Sequence, residues 1–583
     1  MRTLRVAVCA VYAAGWLQAQ DRAWVEESNK NAQILLSVQA KLSPEGAGRL
    51  GVPGLDHEIR DFSPGGRERA RKLLAAARTE LEGKRKTATH AAVRQDLEIM
   101  LDSVAETLEG MALSERYEIP YTNAWSVVFG GLRSLLDDQV AAERRGAALV
   151  RLRKYAGLEP GYVPAVKLLE QSTREKLNQP GLAGPPKAEV ERDLRNAKTM
   201  LDGIGGLFEK YKIEGYQEPL AILKDQMAGY AEFVRNDVLP KARTDFRLPP
   251  ELYAFRLKGY GVDIPAAELA AKARAGFVEI QKEMEAIAPK VAQARGWKVT
   301  GYREVIRELK KEQFQGEDIY PHYVGRIKDL EKIVREHNLV TLPNREARMR
   351  LASAAESAQQ PAPNMRPPRM VGNTGERGEF VLPLRIPSPD GKTEQYDDFT
   401  FAAASWTLTA HEARPGHEMQ FAAMVERGVS IPRSVYAGNS VNVEGWGLYS
   451  EWITKPYFPP EGQLISLQHR LLRAARAFLD PELHMGKISP EEARRILSED
   501  AVFSNAAVTQ ELERYTFRSP AQATSYFYGY TRLLELRQDV EKRLGSRFRA
   551  KDYHDFVLAQ GMLPPKLLRK AVMEEFVPGG SGQ

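Results

Sequence analysis

Apolar residues recur every three or four positions through most of the first half of the chain, the spacing of one face of an α-helix. This pattern predicts helices over residues 24–41, 67–83, 91–113, 188–211, 219–237, 265–288 and 327–337. Pro265 suits the first position of its helix, because the missing N–H would have no partner there. Residues 178–187 (NQPGLAGPPK) form a predicted loop between the third and fourth of these helices.

The pattern changes after residue 352. Residues 353–369 are rich in Ala, Pro and Gln, and we take them as the start of a second region, 353–577, that follows a helical region, 20–352. Residues 378–386 then alternate as a strand does, and Asp390-Gly391 favours a turn. Helical spacing returns at Tyr396 and continues with breaks to Glu575, and 578–583 is a predicted disordered tail. We therefore predict a mainly α fold with one small β-sheet near residues 366–400.

Composition adds little that is specific. The 583 residues are 43% hydrophobic and 27% charged, which is ordinary for a globular protein. The 83 basic and 77 acidic residues give a net charge of +6. Because basic and acidic residues are interspersed, a mixed solvated surface is favoured over nucleic-acid binding.

The first 19 residues are predicted to be a signal peptide. Arg2 and Arg5 precede an uncharged, mostly apolar run over residues 6–17, and Ala19 offers a small residue for cleavage. The alternative is a buried first helix; the run is too short for a bilayer span of about 20 residues. Cleavage would remove Cys9, the only cysteine, and leave neither disulfides nor cysteine catalysis. We expect a periplasmic or secreted protein whose mature form has no membrane span.

The segment His411-Glu412-Ala413-Arg414-Pro415-Gly416-His417 carries the chemistry. It resembles the zincin signature, in which two histidines bind zinc and the glutamate between them is the general base. A catalytic zinc keeps three protein ligands and one water, and it lowers the pKa of that water towards about 7. Glu412 would take the proton from this water and deliver it to the leaving amine. Zinc, as one ion, is the expected cofactor, although manganese or cobalt could occupy such a site.

The two histidines are six residues apart rather than four. On an ideal helix, six residues would place them about 120° apart around the axis, so they could not share a metal. Pro415 and Gly416 can bulge out of the helix and bring His417 back beside His411. The alternative is a helix that ends at Arg414, with His417 an incidental surface or capping residue.

A third ligand is available downstream in the sequence Val443-Glu444-Gly445-Trp446-Gly447-Leu448-Tyr449-Ser450-Glu451. Glu444 follows His417 by 27 residues, which is enough for a loop and a returning helix. Glu451 lies near the same helix face and could hold a histidine ligand through its second ring nitrogen. Alternatively, both glutamates are solvated helix charges.

These two motifs together resemble the bacterial "domain of unknown function 885" family, which we associate with predicted zinc metallopeptidases akin to neurolysin-like and thermostable-carboxypeptidase-like helical zincins. Residues 470–484, 513–529 and 253–284 resemble further segments of the family, and the resemblance covers roughly residues 21–570. The resemblance implies that His411, His417 and Glu444 are the metal ligands and that Glu412 is the general base. It says little about what is cleaved.

A hydrolase of this kind needs a donor for the developing oxyanion. Tyr526 is the first choice, in a tyrosine-rich segment similar to one in neurolysin-like enzymes, and His484 is a second catalytic candidate. We expect Arg514, Tyr515 and Tyr530 to bind substrate, with the planar guanidinium of Arg514 suited to a carboxylate. For each of these aromatics, a place in the core is the alternative, and for Arg514 it is an ordinary salt bridge.

Three functions fit this sequence. The first is a peptidase that acts on short peptides, as a carboxypeptidase or an oligopeptidase, with a peptide as the partner; the restriction to short peptides rests on fold analogy alone. The second is a metal-dependent hydrolase of another amide or of an ester. The third is a helical binding protein with an inactive site, which the intact set His411, Glu412, His417 and Glu444 argues against.

Overall fold

The computed structural model describes residues 23–314, 318–387, 393–395 and 397–579. These residues are mainly helical. Up to residue 359 the α-helices are α1 Ala23–Leu42, α2 Pro44–Leu50, α3 Gly66–Thr87, α4 Ala91–Tyr117, α5 Ala124–Arg133, α6 Ala142–Arg145, α7 Ala147–Tyr155, α8 Ala165–Leu177, α9 Lys187–Lys210, α10 Gln217–Phe233, α11 Pro250–Gly259, α12 Ala266–Arg295, α13 Tyr302–Leu309, α14 Ile319–Glu336 and α15 Ala354–Gln359.

The second part of the chain is also helical. Its α-helices are α16 Ala402–Glu412, α17 His417–Arg427, α18 Ser440–Thr454, α19 Pro460–His484, α20 Pro490–Arg495, α21 Asn505–Glu513, α22 Ser525–Leu544, α23 Ala550–Ala559, α24 Pro565–Ala571 and α25 Val577–Gly579. Among the described residues, no helix combines the length and apolar character needed to cross a membrane.

The predicted mainly α class is confirmed, and the predicted helices lie within four residues of α1, α3, α4, α9 and α10 at both ends. The bounds of two further helices were wrong. α12 continues to Arg295, seven residues past its predicted end. Pro265 caps α12 from outside rather than starting it, and α14 begins at Ile319, eight residues before the predicted start. The extra turns of α14 carry Tyr323, which is fully buried and donates a hydrogen bond to the Phe399 carbonyl oxygen.

The small sheet has the strand order β1-β3-β2, formed by β1 Arg348–Leu351, β2 Asn364–Arg366 and β3 Glu379–Leu382. β3 runs parallel to β1 and antiparallel to β2. The single strand predicted at 378–386 is two strands, because β4 Arg385–Pro387 pairs instead with β5 Thr393–Gln395. β1 lies outside the predicted span 366–400, and the predicted turn at residues 390–391 falls outside the described residues.

The segment 353–369, predicted as a boundary, is built into the fold. It carries α15 and β2. Ser353 and Glu356 cap α15 reciprocally, and Gln359 donates hydrogen bonds to Ser126 of α5. A hydrophobic core around α12 and α19 also includes residues from both sides of this segment. The region bounds themselves stay a prediction. Residues 577–579 are helical, whereas 580–583 and the predicted signal peptide lie outside the described residues.

Two helix pairs position the functional side chains. α12 packs along α19, where Phe277 meets Phe478 edge to face with ring centroids 5.5 Å apart. α18 packs against α22 at Gly445 and Gly529, where a Cβ atom on Gly445 would lie 2.7 Å from the Gly529 carbonyl carbon. The absence of side chains at this crossing lets the two backbones approach closely. Glu444 on α18 is thereby brought beside the first turn of α22, which carries Tyr526.

Candidate metal centre

The helix that carries His411 ends at Glu412, and a new helix begins at His417. The expected bulge within one helix is therefore wrong in form, since the four residues 413–416 connect two separate helices. Gly416 makes the connection sterically possible, because a Cβ atom there would lie 1.9 Å from the His411 carbonyl oxygen. The Pro415 carbonyl oxygen accepts hydrogen bonds from Trp446 Nε1 at 3.0 Å and Ser450 Oγ at 3.1 Å. α18 thus fixes the turn.

This turn brings the two histidine rings together, with centroids 4.5 Å apart and planes at 79°. Glu444 Oε2 lies 3.4 Å from His411 Nε2 and 3.3 Å from His417 Nε2. Each of the three residues offers one ligand atom, and these atoms all lie within 4.8 Å of one another. We call His411, His417 and Glu444 the metal cluster.

The metal cluster fits a tetrahedral cation. Zinc bonds of about 2.0–2.1 Å separate neighbouring ligand atoms by about 3.3–3.4 Å, which matches the two nitrogen–oxygen distances. Glu444 Oε2 is buried and has no hydrogen-bond partner among the described residues. Burial raises the pKa of Glu444, but His411 and His417 outweigh it and hold the pKa well below its usual value. The carboxylate is thus ionised, as a metal ligand must be.

Glu451 orients the first histidine. Its Oε1 lies 2.8 Å from His411 Nδ1, and its Oε2 accepts a hydrogen bond from Thr407 Oγ1. Burial alone would raise the pKa of Glu451. Arg473 and His411 have the larger effect and lower this pKa to about 2. The ionised carboxylate can only accept, so Nδ1 carries the proton and Nε2 keeps its lone pair for an ion. Gly447 gives the imidazole its space, because a Cβ atom there would lie 2.5 Å from His411 Cε1.

Glu412 lies beside the metal cluster and is 7% exposed. Its carboxylate makes no hydrogen bond with the described residues. Burial raises the pKa of Glu412 to about 7, with His417 opposing this shift and Glu444 adding to it. A carboxyl group without a hydrogen-bond partner in the described part of the chain, next to two imidazoles that could hold a metal ion, is suited to taking and returning a proton.

Tyr526 and Arg514 also lie beside the metal cluster. The Tyr526 ring stacks on His411, with centroids 6.1 Å apart and planes at 12°. Arg514 Nη2 donates to the Tyr526 hydroxyl at 3.1 Å, and the Arg514 side chain is 18% exposed. The structure thus brings a hydroxyl and a guanidinium beside the residues predicted to bind the metal.

Three further residues lie near the site, and the sequence analysis did not assign them to it. Gln522 Nε2 lies 3.3 Å from Glu444 Oε1. Arg473 is 5% exposed and lies 3.4 Å from Glu451 Oε1, and Arg476 binds Glu511 through two hydrogen bonds of 2.7 and 2.6 Å. Both arginines have acidic partners inside the protein. Their spacing of three within the mostly apolar run 471–479 was a signal of burial.

The structure does not place His484 at the metal cluster, which argues against its predicted catalytic role. Its Nδ1 accepts from the Leu248 N–H at 3.1 Å, and its Nε2 lies 2.9 Å from the Tyr515 carbonyl oxygen. The ring stacks on Tyr253, whose hydroxyl donates to Asp480 at 2.8 Å. Eleven residues of α19 separate His484 from Arg473, which is about 16 Å along a helix. We call His484, Asp480 and Tyr253 the His484 pocket.

Two predicted substrate-binding tyrosines are also occupied elsewhere. Tyr515 is fully buried and donates to Glu511 at 2.7 Å. The Tyr530 hydroxyl accepts from Arg470 at 3.1 Å, and the residue is 7% exposed. Both hydroxyls have internal partners, which favours the alternative of a place in the core; contact with substrate stays a prediction.

Comparisons with known proteins identify the fold and a family. A family model described as bacterial protein of unknown function (DUF885) matches residues 44–572. A structure described as a candidate lipoprotein from Colwellia psychrerythraea covers 95% of this chain and 99% of its own, with a TM-score of 0.76 at 19% identity. One from Shewanella oneidensis, described as a candidate lipoprotein of unknown function, covers 94% and 100%, with a TM-score of 0.69 at 20% identity. No curated protein matches the sequence.

Proposed function

The chain belongs to the DUF885 family of bacterial proteins of unknown function, and we propose that it is an exported, metal-dependent hydrolase that cleaves peptide bonds. The observation that carries this proposal is the metal cluster itself, with one ligand atom each from His411, His417 and Glu444 within 4.8 Å and with Glu412 beside it. Two histidines and a glutamate are a ligand set that catalytic zinc sites use.

In this proposal, the two Nε2 atoms and the Glu444 carboxylate hold one zinc ion. A bound zinc ion would lower the pKa of a water in the site to about 7 and polarise a substrate carbonyl group. Glu412 takes a proton from that water as the water oxygen bonds to the carbonyl carbon. Glu412 then gives the proton to the amine nitrogen as the C–N bond breaks. Its carboxylate is suited to this exchange because no group within the described ranges hydrogen-bonds it.

Tyr526 and Arg514 supply the donors that such a reaction needs. The Tyr526 hydroxyl donates to the oxygen that becomes negatively charged when the carbonyl carbon turns tetrahedral. Arg514 holds this hydroxyl and keeps other N–H groups for a carboxylate of the substrate. Glu451 keeps His411 in the orientation and tautomer that a metal ligand requires.

Two finer parts of the proposal have separate support. The ligand order of a histidine pair followed by a glutamate on a later helix supports a relationship with the helical zincins, although here the pair spans two helices. Export is supported by the basic and apolar pattern of residues 1–19. The two similar structures are described as candidate lipoproteins, which fits an exported protein.

The test combines metal analysis of the purified protein with cleavage profiles on peptide and ester libraries. We expect about one zinc per chain and cleavage of peptides. Glu412→Gln should keep the metal and lose at least about a hundredfold in kcat, because the amide cannot accept the proton. The control is Glu461→Gln, a partly exposed acid in the first turn of α19, which should leave both unchanged.

Each part of this experiment can fail separately. Full activity of Glu412→Gln would remove Glu412 as the base. Cleavage of esters but of no peptide would overturn the peptidase assignment and keep the hydrolase. Protein without stoichiometric metal and without any cleavage would favour an inactive binding protein.

A further inference from the structure

A cavity of about 350 Å³ lies between the N-terminal helices and the small sheet. None of its lining residues belongs to the metal cluster or contacts it. Its walls come from the end of α2, the end of α5 with the loop that follows, β2 with the next three residues, and the segment before β3. The charged residues that line it are Arg49, Arg133, Asp137, Arg144, Arg366, Arg369, Glu376, Arg377 and Glu379.

Three of the six arginines are committed to the protein. Arg144 binds Asp56 through two hydrogen bonds of 2.8 Å. Arg369 Nη1 donates to Glu376 at 2.7 Å and its Nη2 to the Gly51 carbonyl oxygen at 3.2 Å. Arg133 is 7% exposed and paired with Glu356. These three side chains form fixed parts of the walls.

The other three arginines keep unused donors. Arg49 is exposed and has no ion pair or hydrogen bond with the described residues. The nearest carboxylate oxygens to Arg366 Nη1, on Asp137 and Glu356, are 3.8 and 3.7 Å away, beyond hydrogen-bonding distance. The guanidinium of Arg377 reaches only the highly exposed Glu346, at 3.4 Å to its carbonyl oxygen and 3.8 Å to its carboxylate.

Two of the three acidic residues of the cavity are engaged by other groups. Glu379 is bound by Arg348 at 3.4 Å and Arg350 at 3.1 Å. Glu376 accepts from the Thr374 N–H as well as from Arg369. The third, Asp137, accepts from the Gln139 N–H and lies 3.8 Å from Arg366 Nη1. With six arginines against three acidic residues, the lining carries an excess of positive charge and keeps unused guanidinium donors.

The uncharged lining includes an apolar part and a polar part. The apolar part consists of Leu50, Val140, Met365, Pro367 and Pro368, and the polar part of Ser134, Gln139 and Asn364. The backbone beside it is held by a reciprocal pair of hydrogen bonds, from the Arg377 N–H to the Gln139 side chain and from that side chain to the Arg377 carbonyl oxygen. We infer that this cavity binds an organic anion, with its carboxylate on Arg366, Arg377 and Arg49 and its apolar body against Met365 and the two prolines.

The test is calorimetric titration of the full chain with 4-phenylbutyrate and with its uncharged amide. We expect the carboxylate to bind at least about tenfold more tightly than the amide, because only the carboxylate can accept charge-assisted hydrogen bonds. The titration is made on the His417→Ala variant as well as on the wild type. The same affinity in both excludes binding at the metal cluster as the source of the signal.

The double variant Arg366→Gln/Arg377→Gln should weaken binding of the carboxylate about tenfold and leave that of the amide unchanged. Arg49→Gln tests the same idea at an exposed, unpaired residue that the fold does not need, and it should weaken binding several-fold. Arg78→Gln is the control, because this exposed arginine on α3 pairs only with Glu82 and does not line the cavity.

Several results would overturn the assignment. Equal affinities for the carboxylate and the amide would remove the arginines as the binding groups, as would unchanged affinity in both arginine variants. Absence of binding by either probe at millimolar concentration would reject a binding cavity. Binding of inorganic phosphate without 4-phenylbutyrate would reject the apolar part of the site.

Discussion

The metal cluster and the His484 pocket are two buried groups of histidine and acidic side chains that differ in how their polar atoms are satisfied. In the metal cluster, Glu444 Oε2 and His417 Nδ1 are buried without hydrogen-bond partners among the described residues. In the His484 pocket, both ring nitrogens meet backbone groups. Asp480 accepts from Tyr253 and from the Ala521 N–H.

This difference is the one expected between a binding site and a structural contact. A buried polar atom without a partner costs about 1–3 kcal/mol, and an ion held by Glu444 Oε2 would remove that cost. A satisfied network instead rigidifies the core around it. Residue types alone do not distinguish the two cases, and His484 accordingly looked like a catalytic candidate in the sequence. Each prediction below asks whether the two groups behave as differently as their hydrogen bonding suggests.

The largest effect is expected at the metal cluster. His417→Ala removes one of three ligands, so the variant should lose bound metal and at least about a thousandfold in activity. Thermal unfolding in the presence of a chelator should be close to that of the chelated wild type. Metal content, peptide cleavage and unfolding measured on the same preparation check this.

His484→Gln is the matched comparison for that variant. It should keep stoichiometric metal and activity, because its ring serves backbone groups of Leu248 and Tyr515. If His417→Ala retained tight zinc, the metal cluster would not be the binding site. If His484→Gln lost activity without losing stability, the distinction between the two groups would fail.

Tyr526→Phe should have the next largest effect. It removes the hydroxyl beside the metal cluster and keeps the ring that stacks on His411. We expect kcat to fall about a hundredfold while metal content and KM change little, because the lost hydrogen bond forms mainly in the transition state. Tyr530→Phe, one turn further along α22, is the control and should keep kcat. Equal losses in both variants would argue against a specific role for Tyr526.

Local features of the site could be predicted from the sequence, and long-range ones could not. The three residues of the metal cluster lie in two short sequence motifs. Glu444 and Glu451 are seven residues apart on one helix, so their spacing alone predicts that they lie near the same helix face. The sequence did not predict the conformation of the turn at Gly416. A bulge within one helix and a break between two helices can both bring His417 beside His411. Arg473 on α19 and Gln522, in the turn just before α22, reach the site only through tertiary packing, which no local pattern encodes.

The same limit applies to the fold. Helices with clear apolar faces, such as α1 and α4, were predicted within a few residues of their ends. β1 was missed because its four residues are too few to show an alternating pattern, and its place is set by pairing with β3 about thirty residues later. The arginine-lined cavity is also a product of long-range packing, since its walls come from α2, α5 and β2.

Arg514 tests whether the site reads a carboxylate of the substrate. Arg514→Gln removes the guanidinium that holds Tyr526 through Nη2 and whose Nη1 lies 3.7 Å from Glu511 Oε1. The wild type should prefer peptides with a free C-terminal carboxylate over the same peptides with a C-terminal amide, and the variant should lose about tenfold of this preference in kcat/KM. Arg532→Gln, which is exposed and paired with Glu535, is the control. A wild type that cleaves both peptides equally would exclude carboxylate recognition while leaving the hydrolase intact.

The smallest effect on activity, and a clear one on stability, is expected from the pH dependence of the His484 pocket. Burial lowers the pKa of His484 to about 4, although its contact with the Tyr515 carbonyl oxygen opposes the shift. A histidine titrates near 6.5 in the unfolded chain, so the unfolded state binds more protons between pH 4 and 6.5. The free energy of unfolding should therefore fall as pH decreases through this range, by about 2 kcal/mol between pH 7 and pH 5 from this residue.

His484→Gln should lose this contribution and unfold with a weaker dependence on pH, as measured by denaturant titration at pH 7, 6 and 5. His554 also has a pKa lowered to about 4 by burial and remains in both proteins, so the difference between them isolates His484. Since its Nδ1 accepts the Leu248 N–H, protonation would set two donors against each other, which gives the shift a structural cause. An unchanged pH dependence in the variant would mean that His484 is accommodated in its charged form. The His484 pocket would then not be the neutral, satisfied network that distinguishes it from the metal cluster.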